Sequence, residues 1–283
     1  MTSFLGGAVR AELPLAVEDL VTDKGKVKLE LALTYANAQR HGLSTGEPVI
    51  IQTGPSSFLL LPSDVGEREG ISDSLVSTVG LRYGWLANTE LHVRASHLQS
   101  TLRERNDIGQ TRSKHQDYFA EAWGGLTHQF IPDDDTPALL GFAEVALQER
   151  HASSSAAFKS WMVGLTTYKA IDPVVLAFSA SYRLDLTRRD NMKSHKPGNL
   201  LLLHPSLAFA INDRVSVSGG VQWTNLQPDT LDGQAQGLRQ TKSSLLFGVG
   251  YGASKQDTLN VSVKHNISGR GGAEMRFHWL YAL

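Results

Sequence analysis

Val174-Val175-Leu176-Ala177-Phe178-Ser179-Ala180-Ser181-Tyr182-Arg183-Leu184-Asp185-Leu186-Thr187 alternates with a period of two. Val174, Leu176, Phe178, Ala180, Tyr182, Leu184 and Leu186 share one parity. The other carries Ala177, Ser179, Ser181, Arg183, Asp185 and Thr187. Side chains of a strand point to opposite faces in turn, so this stretch predicts a long ribbon with one apolar and one polar face. A helix of the same sequence would scatter its apolar residues around the whole circumference.

The same alternation recurs outward in both directions. Val27, Leu29, Leu31, Leu33 and Tyr35 alternate with Lys26, Lys28, Glu30, Ala32 and Thr34. Val215 to Trp223 and Leu259 to Ile267 repeat it, and the chain ends on Met275, Phe277, Trp279, Tyr281 and Leu283. Weaker versions cover 74–84, 89–100, 117–130, 138–149, 159–168, 199–210 and 243–251, which makes twelve strands. Many reach ten residues, against ~5–6 in soluble sheets, and ~9–11 tilted residues cross a bilayer.

Connections alternate between short and long. Short turns at Ala87-Asn88, Asp133-Asp134-Asp135, Asp172-Pro173, Asn212-Asp213 and Gln256-Asp257 follow the aromatic residues Tyr83, Phe130, Tyr168, Phe209 and Tyr251. With Trp85, these aromatic residues are expected to form an interfacial girdle. Longer polar segments lie between the turns, at 38–73, 101–116, 149–158, 187–198, 225–242 and 268–273. Short turns at one rim and long loops at the other characterise outer-membrane barrels, with both termini then on the periplasmic side.

Charge decides what the polar parity faces. Lys26, Lys28, Glu30, Arg82, Arg94, Glu121, Glu144, Arg183, Asp185 and Lys264 all fall on it. A dry core would charge several kcal/mol for each such group, whereas a watery lumen nearly abolishes the cost. The expected fold is therefore all-β: a transmembrane antiparallel up-and-down barrel of 12 strands spanning 25–283, its ionisable residues lining a pore. Closure also removes the two sheet edges that lipid could not satisfy. The alternative, a soluble two-sheet sandwich, calls for strands about half as long.

Composition excludes several other classes. The 283-residue chain has no cysteine and a net charge of −1, which removes thiolate chemistry and any electrostatic reason for a nucleic-acid partner. Its mean hydropathy is negative and no apolar run approaches a membrane helix. Met1 to Arg10 lacks the form of a secretory signal, so a mature or truncated form is expected. No zinc or EF-hand spacing occurs, no glycine-rich phosphate loop opens a helix, and no cofactor is expected; Asp133 to Asp135 read as a solvated turn. His204 and Ser206, two apart on one face, are the basis of the one enzymatic alternative, an outer-membrane lipid hydrolase.

Residues 1–24 form a separate N-terminal segment. Pro14 and Gly25 punctuate a short helix with an apolar side, Val17, Leu20 and Val21, and an acidic side, Glu18, Asp19 and Asp23. Too short to be stable alone, it needs a surface. It is expected to plug the lumen from the periplasmic side, its carboxylates pairing with bases such as Lys26, Lys28, Arg82, Arg94 or Arg183, the alternatives being a disordered periplasmic tail or a helix lying across the barrel mouth. In the first long loop, Val49-Ile50-Ile51 and Phe58 to Leu61 are too apolar to hang in water. They predict insertion into the barrel, an external hairpin or a contact between subunits. The basic loops (Arg103, Arg105, Arg112, Lys114; Arg188, Arg189, Lys193, Lys196) could meet lipopolysaccharide phosphates.

Certain stretches resemble a known family. Phe277, Trp279, Tyr281 and the terminal Leu283 resemble the C-terminal signal read by the outer-membrane assembly machinery. Val17 to Val21 through Leu29-Glu30-Leu31, Thr45-Gly46-Glu47-Pro48, Gln52-Thr53-Gly54-Pro55, Leu81-Arg82-Tyr83-Gly84 and Gly271 to Glu274 resemble a bacterial 12-stranded transporter family that includes the functional-amyloid (Fap) secretion channels. The resemblance covers 15–283. It implies a homotrimer of barrels that secretes unfolded amyloid subunits during biofilm formation, each pore closed by an N-terminal helix. Channels of that type also carry a periplasmic coiled-coil region before the barrel. A neighbouring branch implies uptake of small aromatic or hydrophobic compounds instead.

Overall fold

The computed structural model describes residues 21–40, 43–45, 49–54, 57–61, 65–67, 69–105, 111–151, 154–190, 193–268 and 272–283. Twelve long strands make one closed sheet. They are β1 (Val27–Arg40), β2 (Glu69–Leu86), β3 (Thr89–Arg105), β4 (Thr111–Ile131), β5 (Ala138–His151), β6 (Ser160–Ile171), β7 (Val174–Asp185), β8 (Leu200–Ala210), β9 (Val215–Leu226), β10 (Gln240–Gly252), β11 (Asp257–Asn266) and β12 (Gly272–Ala282). Each pairs antiparallel with its sequence neighbours, and β12 pairs with β1 to close the ring. Every long edge is thereby satisfied, as a lipid surround requires.

Register keeps like faces together. Leu29, Leu31 and Leu33 lie opposite Tyr281, Trp279 and Phe277 on one side and Leu81, Val79 and Ser77 on the other. This outward parity is the open one in the isolated chain: Leu33 is 45% exposed, Val79 51% and Leu81 47%, with Val163 at 52% and Phe130 at 58% elsewhere in the wall. The opposite parity is buried although it is polar, with Glu30, Thr34, Ser74, Thr78, Glu90, Arg94, Ser181 and Arg183 among its members. Such a molecule is inside out relative to a soluble sandwich, because its apolar face points away from the rest of the chain.

Strand lengths run from 10 to 21 residues, so the longest project beyond a bilayer's ~9–11. The expected loop at 101–116 is largely strand: β3 runs on to Arg105 and β4 begins at Thr111, and the two stay paired above the barrel. Loops 187–198 and 225–242 also gain structure, combining strands 188–190, 193–196, 229–231 and 234–236 into a four-stranded outer sheet. Three register shifts interrupt the pairings of β4. The one opposite Ser96/His97 lets Phe119 face outward while Glu121 and Trp123 face inward.

The five short turns lie where expected. Asn212 Oδ1 accepts from the Arg214 and Val215 amides. The triple aspartate serves its own turn: Asp133 accepts from Lys169 Nζ (3.1 Å) and the Ala170 amide (2.9 Å), and Asp134 from Thr136. Tyr83, Trp85, Phe130, Phe209 and Tyr251 stand exposed at this rim. Tyr168 does not. It turns inward at 8% exposure and packs on Ala138, Leu140, Val175 and Ala208, small and aliphatic side chains that leave room for a ring.

Candidate functional site

The lumen is the candidate site, and it is filled from both ends. From the long-loop end, Val49–Gln52 and Phe58–Leu61 pair as a hairpin that enters the barrel. Period two explains why nearly all its residues are apolar. Ile51, Leu59, Leu61 and Val49 pack on one wall with Ala36, Val76, Leu98 and Ala120. Ile50 and Phe58 pack on the opposite wall with Trp123, Ala146, Met162, Leu200, Leu202 and Leu226. Of the three placements open to this segment in the sequence, the structure selects insertion.

Barrel-wall polar groups hold the hairpin's turn. The Gln52 amide donates to Glu274 Oε1 (3.2 Å), Thr34 Oγ1 donates to the Gln52 carbonyl (3.2 Å), and Arg276 Nη2 to the Thr53 carbonyl (3.4 Å). Across the lumen, Ser57 Oγ donates to Glu144, and Arg183 Nη1 to the Phe58 carbonyl (3.1 Å).

From the short-turn end, residues 21–24 enter beside β2 and β3. Thr22 is wholly buried, and its amide and hydroxyl both donate to Glu90 Oε2 at 2.8 and 2.5 Å. Val21 packs on the inner cluster that contains Tyr168. Lys24 bridges to Gly84, and a Cβ on Gly84 would sit 1.9 Å from the Asp23 carbonyl oxygen, so only glycine admits this approach. Val17, Glu18, Asp19 and Leu20 lie outside the described residues, and so does all of the expected helix before Val21. Asp23 is described and is exposed. The residues seen to enter are therefore the apolar Val21 and the hydroxyl of Thr22.

The inward charges pair with one another. Arg82 meets Glu90 at 2.8 Å, Arg94 meets Glu144 at 2.9 Å, and His92 Nε2 lies 2.9 Å from Glu144. Gly125 permits this last approach: a Cβ there would stand 2.7 Å from His92 Nε2. Arg183 contacts Asp185 (3.1 Å) and Glu149 (3.4 Å), both shared with Arg188. Glu30 is held by His278 (2.9 Å) and Arg276 (3.6 Å), and Lys264 by Glu274 (2.5 Å). Arg94 and Arg183 both approach the ring of Trp123, each 5.2 Å from its centroid.

These pairings correct two expectations. The inner ionisable groups were expected to be solvated by a watery lumen, yet Glu30, Arg94, Glu121, Glu144, Arg183, Asp185 and Lys264 are buried. Beside the inserted hairpin these groups pair with one another, except Glu121, whose Oε1 is buried without a hydrogen-bond partner. Of the bases expected to await the N-terminal carboxylates, Arg82, Arg94 and Arg183 are already engaged by wall carboxylates. Lys26 lies exposed at the rim before β1, while Lys28 is half-buried opposite Arg82. Arg188, placed among the lipopolysaccharide contacts, is buried against Glu149 and Asp185; Arg103, Arg105, Arg112 and Lys114 are not buried.

Several inner residues went unnamed at the level of sequence: Glu90, His92, Glu149, Glu274, Arg276 and His278. Parity alone would have found most of them, since Glu90-x-His92-x-Arg94 and Glu274-x-Arg276-x-His278 alternate with outward apolar residues. Phe277, Trp279 and Tyr281 lie on the outer parity of β12, with Trp279 Nε1 donating to Asp257 (3.0 Å). Leu283 follows that strand, its amide bonded to the Val27 carbonyl across the closing seam. His204 and Ser206 face inward from β8, with His204 packed against Gly220.

No family model matches the sequence, and no curated protein matches it. Solved structures do. An outer-membrane channel from Pseudomonas putida F1 aligns with a TM-score of 0.64 at 9% identity, over 94% of this chain and 98% of that one. The fold is that of an outer-membrane β-barrel. The translocator domain of the autotransporter NalP from Neisseria meningitidis aligns at 0.52 and 14% identity over 94% and 92% of the two chains. The NanC porin aligns at 0.52 and 9% over 89% and 98%. At such identities the shared property is the barrel itself.

Proposed function

We propose that this chain is a gated pore of the bacterial outer membrane that admits small organic solutes, with both termini periplasmic. The observation that carries the reading is the pairing of an apolar outer face with a charged interior obstructed by two separable pieces of chain. The barrel most similar in shape above is itself a channel. The obstruction argues for small cargo. Withdrawing Val49–Leu61 would expose Ile51, Phe58 and their neighbours at roughly 1.5–3 kcal/mol for each fully buried side chain. A solute needs only a breathing motion; a polypeptide needs the hairpin gone.

Export of unfolded polypeptide, amyloid subunits included, is the second reading. It is favoured by the N-terminal segment, which Glu90 holds within the lumen from the end where such cargo would arrive. The lipid-hydrolase reading is the weakest, because His204 and Ser206 face the lumen rather than the lipid surface. Planar-bilayer recording and liposome swelling with small solutes test the pore. Replacing 49–61 by a Gly/Ser linker should raise single-channel conductance several-fold. No conductance in either form would sink the proposal, while passage of an unfolded peptide only after removal of 1–22 would favour export.

A further inference from the structure

The turn of the inserted hairpin gathers donors that have no acceptor. Arg94 gives Nη2 to Glu144, but its Nε and Nη1 are buried without a hydrogen-bond partner. Arg276 gives Nη2 to the Thr53 carbonyl, and its Nε is buried and unpartnered. Thr53 is wholly buried and its hydroxyl also lacks a partner. All three converge on one turn: Arg276 grips Thr53, and Arg94 Nε lies 3.7 Å from the place a Cβ on Gly54 would take. Both arginines are more than nine-tenths buried.

Buried N–H groups are normally satisfied, and an unpaired cationic one is the most costly to leave so. The nearby carboxylates engage other atoms: Glu144 meets Arg94 Nη2, His92 and Ser57, Glu30 meets His278 and, at 3.6 Å, Arg276 Nη2, and Glu121 keeps one buried oxygen without a partner. Arg94 Nε and Nη1 and Arg276 Nε still reach none of these oxygens, and guanidinium N–H groups favour a charged acceptor. Apolar clusters flank the hairpin on both faces, which suits an anion with an organic body. We infer that Arg94, Arg276 and Thr53 form a binding site for a small organic carboxylate at the constriction. The inference rests on the pore reading and specifies its solute. Because Arg94 and Arg276 also abut the turn, the bound anion acts directly on the element that closes the lumen.

Isothermal titration of the full chain in detergent with benzoate, and with the neutral benzamide as control, tests the site. Saturable benzoate binding is expected, at least tenfold tighter than benzamide. Arg94→Gln and Arg276→Gln should each weaken it tenfold or more, while Arg94→Lys and Arg276→Lys recover part of the loss. Heat-modifiable migration on gels checks that each variant is a folded barrel. Thr53→Val, which keeps shape and removes only the hydroxyl, should weaken binding several-fold even where the arginine variants fail to fold. Absence of saturable benzoate binding, or equal affinity for benzamide, overturns the site. Conductance is recorded separately: a conducting chain that ignores benzoate loses the site and keeps the pore, and a benzoate-binding chain that never conducts does the reverse.

Discussion

At Arg183 the physical character of the interior is most visible. It touches Asp185, Glu149, Ser160, the Phe58 carbonyl and the face of Trp123, so one side chain ties β7 to β4, β5, β6 and the hairpin. Arg183→Met keeps bulk and leaves Asp185 and Glu149 with Arg188 as their common counter-charge. A loss of about 3–5 kcal/mol is expected for breaking a buried pair, measured by urea unfolding in lipid vesicles. Gly84 has the opposite role, contributing by what it lacks. Gly84→Val should drive residues 21–24 out of the lumen, read as faster proteolysis of the N-terminal segment; unchanged protection would show that the close approach does not hold it. Much of this was legible in the residues, since parity put Glu30, Arg94 and Arg183 on the inner face. Lys26 was not, because parity cannot say where a strand begins.

The decisive element is the hairpin Val49–Leu61. Its composition announced burial, but periodicity could not name the partner, because the two walls it contacts come from strands scattered along the whole chain. Inserting a charge at its core tests the packing. Phe58→Asp or Ile51→Asp places a carboxylate in an apolar cluster, and the hairpin should detach rather than bury it. Conductance should then approach that of the linker-replaced form. Persistence of the native conductance would mean that the hairpin does not set the constriction. Strand β4 carried the other illegible feature. Its register shifts break the period of two, so Glu121 and Trp123 share the inner face with an out-of-step Ala120 that no strict alternation anticipates.

For the whole molecule, the two faces of the wall obey opposite rules. Val163→Arg, on the outer face of β6, should cost about 2–4 kcal/mol if it lies near the bilayer midplane, measured by refolding into vesicles. Thr166→Arg faces the lumen and should cost much less, while shifting ion selectivity toward anions. Equal costs would contradict a lipid surround. The seam matters equally, because β12, the last strand, closes the ring on β1: replacing Phe277 and Trp279 with Ser should lower the yield of heat-modifiable barrel in the outer membrane.

The alternation of faces, the number of strands and the contrast between short turns and long loops were all determined by the sequence alone. Each is a local property, set by a two-residue period or by turn chemistry within a few positions. The tertiary structure alone decided that the lumen is filled and which charges neutralise which. Arg94 finds Glu144 50 residues away, Arg183 finds Phe58 at 125, and Arg276 finds Thr53 at 223. Such meetings depend on how the ring closes, and no short-range pattern encodes the distance across a barrel.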